Sequence, residues 1–145
     1  MTNGATVTEF IRAVPLFAGL LPSELNRVAA AMQLLDVVAG EVVCAQGDPG
    51  YQFYVIAGGE AVVERHGHAV AKLHAGDYFG ELALLDRGPR SATVRALTDS
   101  RLFVLHKQSF TMVLEEMPAV ARKLLGVLAS RLREAEARAD RVPLD

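Results

Sequence analysis

Phe79-Gly80-Glu81-Leu82-Ala83-Leu84-Leu85-Asp86-Arg87-Gly88-Pro89-Arg90-Ser91-Ala92-Thr93-Val94 is the stretch whose reading decides the fold. It reads as a strand end, a glycine, one turn of helix, a loop marked by Gly88-Pro89, and a polar pair opening the next strand. At Gly80 no Cβ keeps a ligand away from the backbone. The first amides of the helical turn, those of Leu82 and Ala83 among them, lack intrahelical acceptors and favour an anion. Arg90 adds a planar guanidinium fork suited to phosphate, and Ser91 a hydroxyl beside it. Glu81 is out of place in a site for phosphate alone, because a carboxylate repels it. It fits a ligand that also carries a hydroxyl donor, as a ribose does. The plainer alternative is a strand–turn–helix with a salt bridge between Arg90 and Glu81. That leaves Gly80, Pro89 and Ser91 unexplained.

Around this stretch, from Gln33 to His106, short apolar runs alternate with glycine-marked turns. The pattern predicts strands near 33–38, 41–46, 52–57, 60–65, 69–73, 77–79, 92–97 and 101–106. Turn signals stand between them at Ala39-Gly40, Gly47-Asp48-Pro49-Gly50, Gly58-Gly59, His66-Gly67-His68 and Ala75-Gly76-Asp77. Eight short strands so spaced suggest a jelly roll or small barrel. No crossover-length helix separates them, which disfavours a parallel Rossmann sheet.

Helices are expected on both sides. Residues 1 to about 8 read as frayed, and Thr8 to Phe17 as a short helix ending before Pro15. Pro22 suits a first helical position, with Leu21, Leu25, Val28 and Met32 recurring at helical spacing. After the strands, Ser109–Glu116 predicts a short helix and Pro118 to about Ala139 a long one. Along the latter, Ala121, Leu125, Leu128, Leu132, Ala135 and Ala139 follow three- and four-residue steps. Two readings of that stripe stand: packing on the barrel, or pairing with the same helix of a second subunit. Glu134 and Arg138, one turn apart on another face, read as solvated surface.

At 145 residues the chain fits one domain with a real core, and 51% hydrophobic against 22% charged residues is an ordinary globular balance. A net charge of −2 argues against broad nucleic-acid binding, which needs a basic field. The one cysteine, Cys44, lies in an apolar run and reads as a small buried hydrophobe. No run reaches membrane-spanning length, and Met1-Thr2-Asn3-Gly4 lacks the basic, apolar build of a signal peptide. A cytoplasmic protein without a membrane partner is the expectation.

The ordered pair Phe-Gly-Glu-Leu-Ala-Leu-Leu and Pro-Arg-Ser-Ala-Thr-Val resembles the phosphate-binding cassette of cyclic nucleotide-binding domains. The resemblance extends from about Pro22 to Ala139, and members include kinase regulatory subunits and bacterial cyclic-AMP receptor proteins. It implies one domain over 1–145. An N-terminal helical segment (1–32) leads to a β-roll (33–106) carrying the cassette (79–94), then a hinge helix and a long C-terminal helix (107–141). It implies a cyclic nucleotide held by Gly80, Glu81, Leu82, Ala83, Arg90 and Ser91. Arg90 would take an exocyclic phosphate oxygen, the amides of Ala83 and Ser91 others, and Glu81 the ribose 2′-hydroxyl. Members selective for cyclic GMP commonly carry Thr after the cassette Arg. Ser91 here favours cyclic AMP, with cyclic GMP left open. Where the bacterial activators place a Thr-Ser pair against adenine, this chain has Ala135-Glu136, which removes a hydroxyl contact. Arg131 falls near an arginine of those activators, either at the ligand or in solvent.

The resemblance further implies a switch and not an enzyme, with no cofactor and no metal. Phosphate engagement would draw Leu84 and Leu85 inward and swing the short helix through Phe110, and the long helix would then close over or release the base. The activators continue into a helix-turn-helix. After Val142-Pro143-Leu144-Asp145 nothing remains here to build one, so no direct nucleic-acid contact is expected and the downstream effector is unspecified. Two rivals are a module of the same fold that only dimerises, and a cupin-type metal enzyme suggested by His66-Gly67-His68. The histidine pair falls at an expected hairpin tip with no glutamate soon after, which weighs against the metal.

Overall fold

The computed structural model describes residues 4–140. The expectations about Met1–Asn3 and about Val142–Asp145 fall outside that span. Helices α1 (Gly4–Arg12) and α2 (Pro22–Ala31) flank a 3-10 turn at Pro15–Phe17. The strands follow: β1 (Gln33–Val37), β2 (Val42–Cys44), β3 (Gln52–Gly58), β4 (Ala61–Arg65), β5 (His68–Leu73) and β6 (Tyr78–Phe79). Helix α3 (Glu81–Asp86) interrupts them, before β7 (Thr93–Ala96) and β8 (Ser100–His106). Helices α4 (Lys107–Glu116) and α5 (Pro118–Asp140) close the order.

All eight expected strands form, within two residues of their predicted bounds. They make two antiparallel four-stranded sheets, ordered β1-β8-β3-β6 and β2-β7-β4-β5, and do not close into one ladder. This is the expected β-roll. The strands β3 and β8 are buried on both faces, which is why they read as unbroken apolar runs. On one face Phe53 and Val55 pair with Leu105 and Phe103 and pack against the helices. On the other, Tyr54 and Ile56 pair with Val104 and Leu102 and face the second sheet with Val94 and Ala96. The core is therefore double: one layer between the sheets, one between a sheet and the helices.

Two helical expectations change. The chain from Gly4 is helical, not frayed: Val7 and Ile11, one turn apart, are buried in the helical core layer. This helix stops at Arg12, ahead of the turn that Pro15 opens. In α5 the buried face runs through Val120 and Leu124, with Leu128 partly buried. Leu125 and Leu132 are 65% and 60% exposed, so of the expected stripe only Leu128 packs against the core.

Contacts at the start of α5 and along α4 fix where the helices meet the roll. Lys123 Nζ donates to the carbonyls of Pro15 and Ala18, tying the first half of α5 to the 3-10 turn. Helix α4 is held by Phe110, stacked on Phe53 at 4.8 Å between centroids. It is also held by Arg27 of α2, which pairs with Glu116 at 2.9 Å.

Candidate functional site

The second sheet presents a row of small apolar residues across four strands. Ala71 pairs with Val63, Val63 with Val94, and Val94 with Cys44. In front of that row opens a cavity of about 370 Å³. The row is its back wall, Gly80, Glu81, Leu82, Ala83, Arg90 and Ser91 form its floor, and Arg131 and Glu134 of α5 stand at its rim. All six residues singled out in the sequence come together there.

Local backbone geometry explains the floor. Gly80 has φ +96°, a left-handed conformation open to glycine, and caps α3. A Cβ on it would sit 2.8 Å from both Arg90 Nη1 and the carbonyl oxygen of Gln52. Helix α3 is short and ends at Arg87, itself left-handed at φ +59°, where Gly88 N donates to Asp86 Oδ1. The amides of Leu82 and Ala83 fall in the first turn, without intrahelical acceptors.

Arg90 is only 7% exposed. Its Nη1 donates to the carbonyl of Gly80 and its Nη2 to that of Gln52, both at 2.8 Å, and its guanidinium lies 5.8 Å from the Tyr54 ring centroid. Its own backbone is clamped as well. Arg90 N donates to Asp48 O at 2.7 Å, and Gly47 N to Arg90 O at 2.9 Å. Among the described residues no carboxylate pairs with this cation. Buried charge without a counter-charge is costly, and buried cations are ordinarily paired. The expected alternative of an Arg90–Glu81 bridge is not what forms.

Glu81, 4% exposed, pairs instead with Arg131 of α5, whose Nη1 lies 3.1 Å from Oε1. Arg131, read from sequence as either at the ligand or in solvent, is thus at the rim, with 55% of its side chain exposed. Three guanidiniums (Arg65, Arg90 and Arg131) and two carboxylates (Glu81 and Glu134) line the cavity, and Glu81 pairs with Arg131 rather than with Arg90.

Several residues that hold or line the site carried no signal in the sequence. Gly50 reads as a turn residue, but a Cβ there would meet Arg90 Nε at 2.5 Å and Ala83 Cβ at 2.8 Å. It is a close-approach position. Gln52 acts through its carbonyl, which side-chain patterns do not show, and its amide oxygen accepts from the Tyr54 hydroxyl at 2.6 Å. Burial, with the neighbouring Cys44, pushes the Tyr54 phenol up to about 12. Burial likewise pushes the Cys44 thiol up against the pull of Arg90, consistent with its reading as an inert apolar group. Arg65 and Glu134 also line the cavity and were read as plain surface or not at all.

The histidines behave differently. His66 (φ +52°) and Gly67 (φ +79°) are the two-residue turn between β4 and β5, with Arg65 paired to His68. Among the described residues no cluster of three His, Cys, Asp or Glu side chains is placed to hold a metal ion. No described helix is long and apolar enough to cross a membrane.

These features, a β-roll interrupted by a glycine-capped turn of helix over a buried arginine, define a domain built to take a small anionic ligand. The chain belongs to the cyclic nucleotide-binding domain family: residues 34–117, more than half its length, match the profile of that family. It is 37% identical over 136 residues to a cAMP-dependent protein kinase regulatory subunit of Aspergillus niger, which covers 92% of this chain and 30% of that protein. It is 34% identical over 135 residues to the Cyclic AMP receptor protein of Thermus thermophilus, covering 90% of this chain and 62% of the receptor. Among solved structures, the regulatory domain of Toxoplasma gondii PKA with cAMP superposes with a TM-score of 0.78 at 30% identity. The match covers 88% of this chain and 50% of that one. The chain thus spans less than two thirds of these relatives, which are named as regulatory or receptor proteins rather than catalysts.

Proposed function

We propose that the cavity binds cyclic AMP, held by Gly80, Glu81, Leu82, Ala83, Arg90 and Ser91, and that the 1–145 span works as one sensor domain. One observation carries the reading: Arg90 is a buried cation, fixed by two carbonyls and unaccompanied by a carboxylate among the described residues, beside first-turn amides. A cyclic phosphodiester supplies the missing negative charge. Hydrogen bonds to a charged group contribute about 1.5–3 kcal/mol each, so several outweigh repulsion from a Glu81 turned toward the ribose.

The Glu81–Arg131 pair supplies the coupling. A 2′-hydroxyl that donates to Glu81 competes with Arg131, so ligand binding loosens the far half of α5 from the floor while Lys123 keeps its near half anchored. The ligand drives this only through its better fit to the displaced arrangement. Ser91, rather than Thr, supports cyclic AMP over cyclic GMP. The exposed Leu125 and Leu132 support pairing of α5 with a second copy. Calorimetric titration of the chain with cyclic AMP against cyclic GMP tests the ligand. No heat with either would leave only a module of the same fold that dimerises, and tighter cyclic GMP binding would reverse the base preference.

A further inference from the structure

Tyr78 stands where two cavities share a wall. It lines the cavity above Gly80 and also a second one of about 400 Å³, bounded among others by Pro15, Leu16, Asp77 and Arg131. Its hydroxyl is buried without a hydrogen-bond partner, which sets it apart among the side-chain polar atoms of the described residues. Such a group destabilises whichever arrangement strands it. The ring is well seated, 5.5 Å from Phe53, which in turn stacks on Phe110. A phenylalanine would serve that packing equally and strand nothing, so packing does not account for the hydroxyl. Both members of the rim pair, Glu81 and Arg131, line the first cavity with it. After burial, the Glu81 charge is the strongest influence holding the phenol above its ordinary value, and Arg131 pulls the other way. A neutral phenol beside a carboxylate is a donor in want of an acceptor, and here Arg131 engages that carboxylate.

We propose that Tyr78 is a positioning residue for ribose recognition: when a cyclic nucleotide displaces Arg131, the Tyr78 hydroxyl donates to the Glu81 carboxylate and aims it at the 2′-hydroxyl. This rests on reading Glu81 as the ribose acceptor. A carboxylate has about four lone-pair sites, enough for both donors. The hydroxyl is then paired in the liganded arrangement and unpaired in the free one, so it tilts the balance toward ligand.

The test is Tyr78→Phe, titrated with cyclic AMP and with its 2′-deoxy analogue, alongside melting of the free protein. Losing one hydrogen bond to a charged group should weaken cyclic AMP by about tenfold and leave the 2′-deoxy analogue nearly unchanged. The ribose preference shrinks accordingly, and the free variant melts about 2–4 °C higher. A merely structural role would weaken both ligands alike, so a ribose preference kept at its wild-type ratio overturns the proposal. Wild-type protein that shows no ribose preference would instead overturn the Glu81 reading itself, and this inference with it.

Discussion

Two of the arginines that line the cavity are held in opposite ways. Arg90, on the roll side, is buried, bonded to two carbonyls, stacked over Tyr54 and clamped through its backbone by the Gly47–Asp48 turn. Arg131, on the helix side, is mostly exposed and makes one hydrogen bond, from a helix whose buried residues stop at Leu124. The same side chain is thus a fixed tool on one wall and a releasable contact on the other. A preorganised half gains affinity because little ordering remains to be done on binding. A loosely packed half is the one that opens at low free-energy cost.

Substitutions can break this contrast, beginning where the effect is largest. Arg90→Ala removes the buried cation and leaves two carbonyls without their donor. It should weaken cyclic AMP at least tenfold by calorimetry, and unchanged affinity would remove Arg90 from the site. Arg90→Lys should fall close to the alanine variant, because a point charge cannot reach both carbonyls and the ligand. Next comes Gly50→Ala, remote from the ligand in sequence logic but pressed on Arg90. Its Cβ must displace the guanidinium or Ala83, an overpacking of about 1–3 kcal/mol that lowers both melting temperature and affinity. A variant as stable and as tight as wild type would mean the Arg90 clamp is slack.

On the helix side the expected effects shrink and one changes sign. Arg131→Gln removes the competitor for Glu81. Cyclic AMP should bind about two- to fivefold more tightly, the scale of a half-exposed ion pair worth roughly 0.2–1 kcal/mol. Weaker binding would place Arg131 among the ligand's own contacts. Leu132→Gln, on an exposed face, should shift monomer stability by less than about 0.5 kcal/mol. Sedimentation then reads whether this face pairs: a dimer lost on substitution supports pairing through α5, and an unchanged oligomeric state removes it.

Strand positions were legible because each turn carries its own chemistry, such as Gly40, Gly59 and Gly67, all at positive φ. The doubly buried β3 and β8 were equally plain as apolar runs. The floor of the site was legible because Gly80, Glu81, Arg90 and Ser91 lie within one short stretch. What holds that floor was not. Gly50 and Gln52 act on Arg90 from across the roll, one by lacking a side chain and one through a carbonyl. The partner of Glu81 is fifty residues away on a helix whose exposed leucines form a more conspicuous stripe than its buried face. The helical start at Gly4 was missed because its small residues carry weak propensity, and only burial of Val7 and Ile11 explains it.

Strand β8 lies between β1 and β3 and supplies the full-length ladder to each. Emerging from the ribosome, β1 and β3 therefore wait for a segment some fifty to seventy residues downstream before either finds its long neighbour. Pairings of such span close slowly and leave apolar edges bare meanwhile. The order of synthesis thus puts the cassette outside the exit tunnel before the sheet that steadies it exists, and a nascent chain cut short before Ser100 should be competent neither to fold nor to sense.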